Sequence, residues 1–370
     1  MKVNGVNYRT IWLEDGSSPC VKIIDQRYLP HRFVVEPIES FDGLLRAISE
    51  MHLRGAGLIG VAAAFGIYLA VWEQRNLVNF QEAMEECALK LIKTRPTAVN
   101  LRWAVERQLE VLAGVENPDD RVAIARQTAI DIAEDDAGCC RKIGLEGVGL
   151  IEDIARNKNG GVVNILTHCN AGWLAFTDYG SALAPVYEAW RRGVRLHVWV
   201  DETRPRNQGA SLTAWELLNE GITHTVIADN TGGHLMQHGL VDLVLTGADR
   251  ITTNGDAANK IGTYLKALAA HDNGVPFYIA APSSTFDWSL SDGLSQIPIE
   301  QRHPDEVRYV GGWLDGRLQN VLVCPDESPA ANFAFDVTPA RLISGIITER
   351  GICKPLPAGI KKVFPEKFNY

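Results

Sequence analysis

The sequence predicts an α/β protein: a helical N-terminal domain with a small β-meander, followed by a Rossmann-like C-terminal domain with a parallel sheet. Two observations predict this fold class. Between about residues 40 and 114, apolar residues recur at the i, i+3 and i+4 spacing of amphipathic helices. Beyond about residue 155, short β-rich runs alternate with stretches long enough for a helix, which is typical of a parallel sheet covered on both faces.

The elements before the predicted sheet follow from local patterns. Residues 1–36 contain apolar alternations such as VNYRTIWL and CVKIIDQ, separated by turn residues such as Asp15-Gly16, which favours a small antiparallel meander. After the helical region, we expect one further helix at Asp119–Cys140 and helical sequence again at Ile143–Ile154.

The domain boundary is predicted from residues 157–161 (NKNGG), the clearest linker signal in the chain. We therefore divide the chain into residues 1–155, residues 156–355 and a C-terminal tail at 356–370, which we expect to be extended. Immediately before the tail, residues 336–352 (DVTPARLISGIITERGI) are predicted to form a helix with proline in its first turn.

Composition narrows the class of protein. The chain has 370 residues, 46% of them hydrophobic and 22% charged, as expected for a globular protein with a large core. A net charge of −9 argues against a nucleic-acid or membrane partner, and we expect no apolar run to reach the ~18 residues of a membrane helix. Seven cysteines without a CxxC pair, and a start that resembles no signal peptide, favour reduced thiols in a cytoplasm.

Residues 241–264 (VDLVLTGADRITTNGDAANKIGTY) place charged groups at a predicted strand end. Asp249 follows the buried strand VDLVLTG, where open α/β sheets bind their ligands. We expect a Gly/Asn/Asp-rich loop next, and then a helix that opens at Asn259 and Lys260. The free N–H groups of a helix start, together with an ammonium group, suit an anionic ligand. From this stretch alone, a helix capped by Asn259 beside an ordinary surface lysine remains the alternative.

Two arginines precede predicted helix starts in the N-terminal region. Arg54 is followed by glycine-rich sequence, and Arg95 by Pro-Thr. A guanidinium beside backbone N–H groups can bind phosphate, although a surface salt bridge is the commoner role of a lone arginine. Gly55, Gly57 and Gly60 also match G-x-G-x-x-G, but the preceding residues are typical of a helix and not of a strand. We therefore expect no nicotinamide site here.

Cys169 follows the predicted strand VVNILTH at a glycine-containing turn. A thiol at such a turn can have a lowered pKa and act as acid, base or nucleophile; a buried structural cysteine is the alternative. His168 is assigned a structural role, because neighbours in a strand point to opposite faces. The polar residues 201–209 (DETRPRNQG), including Gln208, either line a pocket or form a self-paired network.

Six motifs, taken in order, resemble one family. They are RGAGLIGVAAAFG, TRPTAVNLRWAV, ILTHCNAG, VDETRPRNQGASLTAWEL, GADRITTNGDAANKIGTY and AFDVTPARLISGIITERG. From about residue 5 to residue 355, the chain closely resembles the methylthioribose-1-phosphate isomerases. Their superfamily also includes regulatory subunits of a translation-initiation exchange factor and ribose-1,5-bisphosphate isomerases.

The resemblance implies reversible conversion of an aldose 1-phosphate into a ketose 1-phosphate in methionine salvage, with Cys169 and Asp249 as the catalytic pair. The residues that it implies for holding the sugar phosphate are Arg54, Gly55, Ala56, Arg95, Gln208, Asn259 and Lys260. It implies a homodimer and no metal or nicotinamide cofactor. His234 and His238 have a metal-ligand spacing, but without a third ligand motif nearby we expect a solvated pair.

The implied chemistry explains why acid–base groups suffice. Phosphate on the anomeric carbon blocks the spontaneous ring opening that ordinary sugar isomerases use, so the enzyme must protonate the ring oxygen and then move hydrogen from C2 to C1. We expect Asp249 to donate that proton, which requires a pKa raised by a dry pocket. Cys169 then assists at the carbon centre or stabilises the transition state. The sequence leaves proton and hydride transfer both open.

Departures from the family pattern concern the substrate more than the reaction type. The family usually has a proline in RGAPAIG, where this chain has Gly57-Leu58, and a small residue after CNAG, where this chain has Trp173. We expect Trp173 to reshape the pocket around the 5-substituent. The alternatives are therefore isomerisation of a related 5-deoxypentose 1-phosphate or of ribose 1,5-bisphosphate. A non-catalytic regulatory subunit is a further alternative, although such a relative is expected to lack the Cys/Asp pair.

Overall fold

A small β-structure opens the chain in the computed structural model, which describes residues 1–95 and 99–368. Its strands are β1 (Lys2–Val3), β2 (Val6–Asn7), β3 (Ile11–Glu14), β4 (Cys20–Ile24) and β5 (Val35–Ile38). The first two form a hairpin, and the other strands form an antiparallel meander in the order β3-β4-β5. The predicted meander is thus confirmed.

The helical layer follows, built around one apolar helix. Its helices are α1 (Phe41–Ser49), α2 (Ala56–Gln74), α3 (Phe80–Thr94), α4 (Val99–Leu112) and α5 (Pro118–Asn157). Each of the other helices packs against α2, and small residues allow the close approach: a Cβ on Gly60 would lie 2.9 Å from the carbonyl oxygen of Asn100. The two helical segments expected after residue 119 are one continuous helix, α5.

The apolar character of α2 corrects one expectation. By length and composition its 19 residues could cross a bilayer, so the expectation that no run reaches that length is wrong. Within the protein, 89% of its most apolar window is buried. The helix is apolar on all sides because it is surrounded by other parts of the protein.

The rest of the chain alternates strands and helices. In chain order the elements are β6 (Val163–Thr167), α6 (Ala184–Arg191), β7 (Leu196–Asp201), α7 (Ala214–Asn219), β8 (His224–Ile227), α8 (Thr231–Gln237), β9 (Leu243–Thr246), β10 (Arg250–Thr252), β11 (Ala257–Lys260), α9 (Thr263–Asp272), β12 (Phe277–Ala280), β13 (Phe286–Asp287), α10 (Gly293–Gln296), α11 (Asp305–Arg308), β14 (Tyr309–Leu314), β15 (Arg317–Leu322), β16 (Phe335–Thr338), β17 (Gly345–Thr348), β18 (Gly351–Cys353) and α12 (Pro357–Val363).

The main sheet has the strand order β18-β17-β12-β9-β6-β7-β8. Its neighbouring strands are parallel except at the β17–β18 edge, which is antiparallel. The chain leaves β6 towards β7 on one side and later returns to β9 on the other. The carboxyl ends of β6 and β9 therefore flank the switch point at which open α/β sheets bind ligands.

The stretch after β9 differs from its prediction. The expected loop, residues 251–259 (ITTNGDAAN), lies instead in a hairpin, β10–β11, within a second sheet of order β13-β10-β11-β16. Asn259 and Lys260 end strand β11, where they pair with residues of β16, and α9 begins only at Thr263. The expected helix start at Asn259 is therefore wrong, because strand pairing with β16, more than 70 residues further along the chain, satisfies this backbone.

Both C-terminal predictions are also wrong. Residues 336–352 contribute strands to two sheets, and Ile346 and Ile347 are fully buried in β17. Their β-branched side chains pack well in a buried strand. The tail is not extended: α12 packs on the core, with Ile360 and Phe364 fully buried.

We expect Phe364→Ala to lower the free energy of unfolding by about 3–5 kcal/mol, because it leaves a cavity at a fully buried aromatic site. Urea denaturation measures the change. Leu356→Ala is the control in the same segment; its side chain is 45% exposed, so the change should stay within about 0.5 kcal/mol. Equal small changes in both variants would contradict the packed tail.

Candidate active site

One cavity at the switch point brings together every residue that the sequence predicted for the site. They are Arg54, Gly55, Ala56, Arg95, Cys169, Gln208, Asp249, Asn259 and Lys260. They come from the start of α2, the end of α3, the loops after β6 and β7, the loop after β9 and the end of β11. The cavity thus lies between the helical layer and the sheet.

Cys169 has a left-handed backbone conformation, with φ of +66°, just beyond the end of β6. Such a conformation is strained for a non-glycine residue and persists only where its surroundings hold it. Its N–H donates to Thr203 Oγ1 at 2.8 Å, and Thr213 Oγ1 donates to its carbonyl oxygen at 2.8 Å. These hydrogen bonds fix the backbone of Cys169, and its Sγ lies 3.4 Å from Gln208 Oε1.

The charge state of Cys169 differs from the sequence expectation. Burial raises the pKa of the thiol, and nearby Asp249 raises it further, while Arg54 and Lys260 lower it. The lowered pKa expected from the turn is therefore wrong, because water is excluded from a side chain that is only 7% exposed. At neutral pH the group is a thiol that can donate a hydrogen bond or a proton.

Asp249 lies beyond the end of β9, and its backbone N–H donates to the carbonyl oxygen of Ala258 at 2.8 Å. Burial raises the pKa of its carboxyl group, although Lys260, Arg54 and Arg95 lower it. The direction agrees with the dry-pocket expectation. Desolvation disfavours the carboxylate more than the cations favour it.

Among the described residues, the cations that line the cavity have too few anionic partners. Arg95 is buried, its Nε and Nη1 have no hydrogen-bond partner among the described residues, and Glu300 Oε2 lies 3.8 Å from Nε. Lys260 Nζ lies 4.8 Å from the ring centroid of Phe335, and burial lowers the pKa of both cations. A buried cation without full pairing is costly, so this cavity favours an anionic ligand.

The start of α2 adds to this preference for anions. Gly55 precedes the helix with φ of +110°, and among the described residues no side chain caps the first N–H groups. A Cβ on Gly55 would lie 2.5 Å from the backbone of Ala175, so only glycine fits here. Uncapped N–H groups and the helix dipole then face a cavity that already contains cations.

His168 has the structural role that the sequence suggested. Its Nδ1 lies 2.8 Å from Asp201 Oδ2 and its Nε2 lies 2.8 Å from the carbonyl oxygen of Ile261. Together with Asp229, these two side chains have a geometry that could hold a metal ion. However, Lys266 Nζ already lies 3.1 Å from Asp201 Oδ2. Residues 201–209 therefore combine both alternatives: Asp201 belongs to a buried ion network, whereas Gln208 lines the cavity.

The expectation for Trp173 is wrong. Its side chain is fully buried in the core beside the sheet, and it is not among the described residues that line the cavity. The aromatic side chains that do line it are Phe176 and Phe335, which the sequence did not assign to the site. Asn170 was also missed, although it lies within the CNAG motif beside Cys169.

Comparisons with known proteins identify the family. Residues 52–355 match the profile of the Initiation factor 2 subunit family. The chain is 54% identical to methylthioribose-1-phosphate isomerase from Desulfatibacillum aliphaticivorans over 369 residues, covering 100% of both chains. It is likewise 54% identical to the enzyme of that name from Rhizobium meliloti over 370 residues, covering 99% of this chain and 100% of the relative.

Two solved structures share the whole fold. Crystalline 5-methylthioribose 1-phosphate isomerase from Pyrococcus horikoshii has a TM-score of 0.82 and 38% identity, covering 97% of this chain and 96% of its own. The translation initiation factor eIF-2B subunit delta from A. fulgidus has a TM-score of 0.78 and 36% identity, covering 97% and 100%. The chain is therefore a member of the Initiation factor 2 subunit family. Within that family, its full-length similarity places it among the methylthioribose-1-phosphate isomerases.

We expect Arg95→Met to abolish most of the thermal stabilisation that inorganic phosphate gives the wild type, because the variant loses a buried cation that the anion would neutralise. Without phosphate, the variant should be as stable as the wild type or up to about 1 kcal/mol more stable, because Glu300 still has Arg302 Nη1 at 2.8 Å from Oε1. Scanning calorimetry at matched ionic strength measures both effects.

Arg102→Met provides the matched control, because Arg102 is exposed on α4 and pairs only loosely with Glu106 at 3.9 Å. Its response to phosphate should equal that of the wild type. Undiminished stabilisation of Arg95→Met by phosphate would contradict the anion site.

Proposed function

We propose that the protein converts 5-methylthioribose 1-phosphate into 5-methylthioribulose 1-phosphate, the aldose–ketose isomerisation of methionine salvage. The observation that carries this proposal is the convergence on one cavity of an acid with a raised pKa, a neutral thiol and incompletely paired cations. Full-length relatives that are named for this activity support it. The function requires acid–base groups and an anion site, and the cavity offers both.

In this proposal the substrate phosphate is held by Arg54, Arg95 and Lys260 together with the start of α2. The protonated carboxyl of Asp249 gives its proton to the ring oxygen, and the electrons of the breaking C1–O bond go to that oxygen. Hydrogen then moves from C2 to C1. The hydroxyl proton of C2 returns to Asp249 as the ketone forms, which restores the acid. The neutral thiol of Cys169 assists at the carbon centre.

The walls of the cavity support an apolar 5-substituent. Met51, Phe176 and Phe335 contribute apolar surface, whereas a second phosphate would require further cations beyond those assigned to the first. We therefore propose the methylthio sugar as the preferred substrate over ribose 1,5-bisphosphate. Side-by-side assays of methylthioribose 1-phosphate, 5-deoxyribose 1-phosphate and ribose 1,5-bisphosphate test this choice, and turnover of none of them would refute the isomerase.

We expect Asp249→Asn to lower kcat by about 10²–10⁴, the usual contribution of a general acid. Because the protonated carboxyl is the active form, kcat/KM of the wild type should fall as pH rises through the raised pKa of Asp249. The variant should lack this fall. Steady-state assays across pH measure both effects.

Asp242→Asn is the matched control at the opposite end of β9, where the carboxylate pairs with Lys158 at 2.6 Å. It should keep kcat within about twofold and retain the fall with pH, since that carboxylate is remote from the cavity. Full activity of Asp249→Asn would remove Asp249 from the mechanism.

We further propose that the protein works as a homodimer in the cytoplasm. All seven cysteines lie in the described ranges and none forms a disulfide, which supports a reducing compartment. The homodimer is inferred from the family.

Light scattering after size exclusion should give twice the 40.7 kDa mass of the chain. A mass of one chain at micromolar concentration would contradict the homodimer.

A further inference from the structure

Behind the cavity lies a buried carboxylate that the proposed reaction does not use. Glu216, on α7, is fully buried and does not itself line the cavity. Its Oε1 accepts from Asn170 Nδ2 at 2.8 Å and from the N–H of Leu174 at 3.1 Å. Its Oε2 accepts from the N–H of Trp173 at 2.9 Å and from the hydroxyl of Tyr187 at 2.5 Å. Every one of these described partners is a donor.

The turn after Cys169 is folded around this carboxylate. A Cβ on Gly172 would lie 1.8 Å from Glu216 Oε2, so the backbone approaches closer than any other residue type would allow. Burial raises the pKa of Glu216 to about 7, against the lowering effect of its hydrogen bonds. Removing a carboxyl group from water costs free energy, and the hydrogen bonds that Glu216 accepts offset that cost.

Asn170 connects Glu216 to the cavity. Its amide nitrogen donates to Glu216 and lies 3.2 Å from Thr213 Oγ1, so its Oδ1 must point the other way. That oxygen accepts from Arg54 Nη1 at 2.6 Å, and the carbonyl oxygen of Asn170 accepts from Arg54 Nη2 at 2.8 Å. Both terminal nitrogens of Arg54 are therefore held by one residue whose own orientation depends on Glu216.

We propose that Glu216 is a positioning residue for the substrate: through Asn170, it fixes the guanidinium of Arg54 at the cavity wall. The inference rests on the proposed function, in which Arg54 helps to hold the phosphate. Arg54 is partly exposed and has a long, flexible side chain, so without this anchor it loses rotamer freedom on binding. The effect of Glu216 should therefore fall mainly on substrate affinity.

Glu216→Gln tests the proposal, because the amide is of similar size but places an N–H₂ group among hydrogen-bond donors. We expect KM for methylthioribose 1-phosphate to rise about tenfold, corresponding to one charge-assisted hydrogen bond, while kcat stays within about threefold. In an Arg54→Ala background, the same substitution should leave KM unchanged, since the group that it positions is gone. A tenfold rise in that background as well would overturn the proposal.

Tyr187→Phe is the matched control, because it removes a hydrogen bond to the other oxygen of the same carboxylate. It should lower thermal stability and leave KM unchanged; a rise in KM equal to that of Glu216→Gln would show a general structural effect and overturn the proposal. If Glu216→Gln does not fold, Asn170→Ala takes its place, and an unchanged KM there would likewise overturn it.

Wild-type turnover is measured first, so that failure of the proposed function can be distinguished from failure of the role proposed for Glu216. Its absence would refute the proposed function. Turnover by the wild type with an unchanged KM in folded Glu216→Gln would refute only the role of Glu216.

Discussion

Desolvation of one carboxyl group is the constraint on which the rest of the site depends. Asp249 shares its cavity with Arg54, Arg95 and Lys260, and in water such cations would hold its pKa well below the ordinary value. Burial instead raises that pKa. The proposed reaction needs this outcome, because an ionised Asp249 has no proton to give. The helical layer that covers the strand ends is therefore part of the chemistry.

The same exclusion of water gives the cavity its preference for anions. Lys260 and Arg95 are buried with their pKa values lowered, and Arg95 has nitrogens without described partners. A phosphate would supply the missing charge and hydrogen-bond acceptors together. Because Arg95 follows α3 and Lys260 ends β11 of the second sheet, one bound phosphate would contact both the helical layer and that sheet. In the proposed function, phosphate affinity and the assembly of the site would thus be linked.

Sequence reasoning worked best where a local pattern determines the structure. The alternation of strands and helices, the helical N-terminal region and the positions of Cys169 and Asp249 at strand ends all follow from periodicity and turn residues. Prediction from the sequence failed where pairing between segments far apart in the chain determines the structure. Asn259 and Lys260 are in a strand because β16 pairs with them, and residues 336–352 are in sheets because their isoleucines fill the core. The raised pKa of Cys169 likewise depends on burial, which its own motif does not reveal.

The missed residues show the same limit. Glu216 is 46 residues after Asn170 in sequence, and only the packed turn brings them together at 2.8 Å. Trp173 is four residues after Cys169 in sequence, yet its side chain is buried in the core. Proximity in sequence to Cys169 therefore does not decide which residues line the cavity: the neighbouring Asn170 does, whereas Trp173 does not.

Measuring the protonation state of Asp249 tests the proposed acid catalysis most directly. Infrared difference spectra between the wild type and Asp249→Asn, recorded over a range of pH without substrate, isolate the vibration of this one carboxyl group. If burial outweighs the surrounding cations, a protonated-carboxyl band persists above the ordinary titration range of aspartate. A carboxylate that titrates at or below that range would contradict the claim that burial outweighs the surrounding cations.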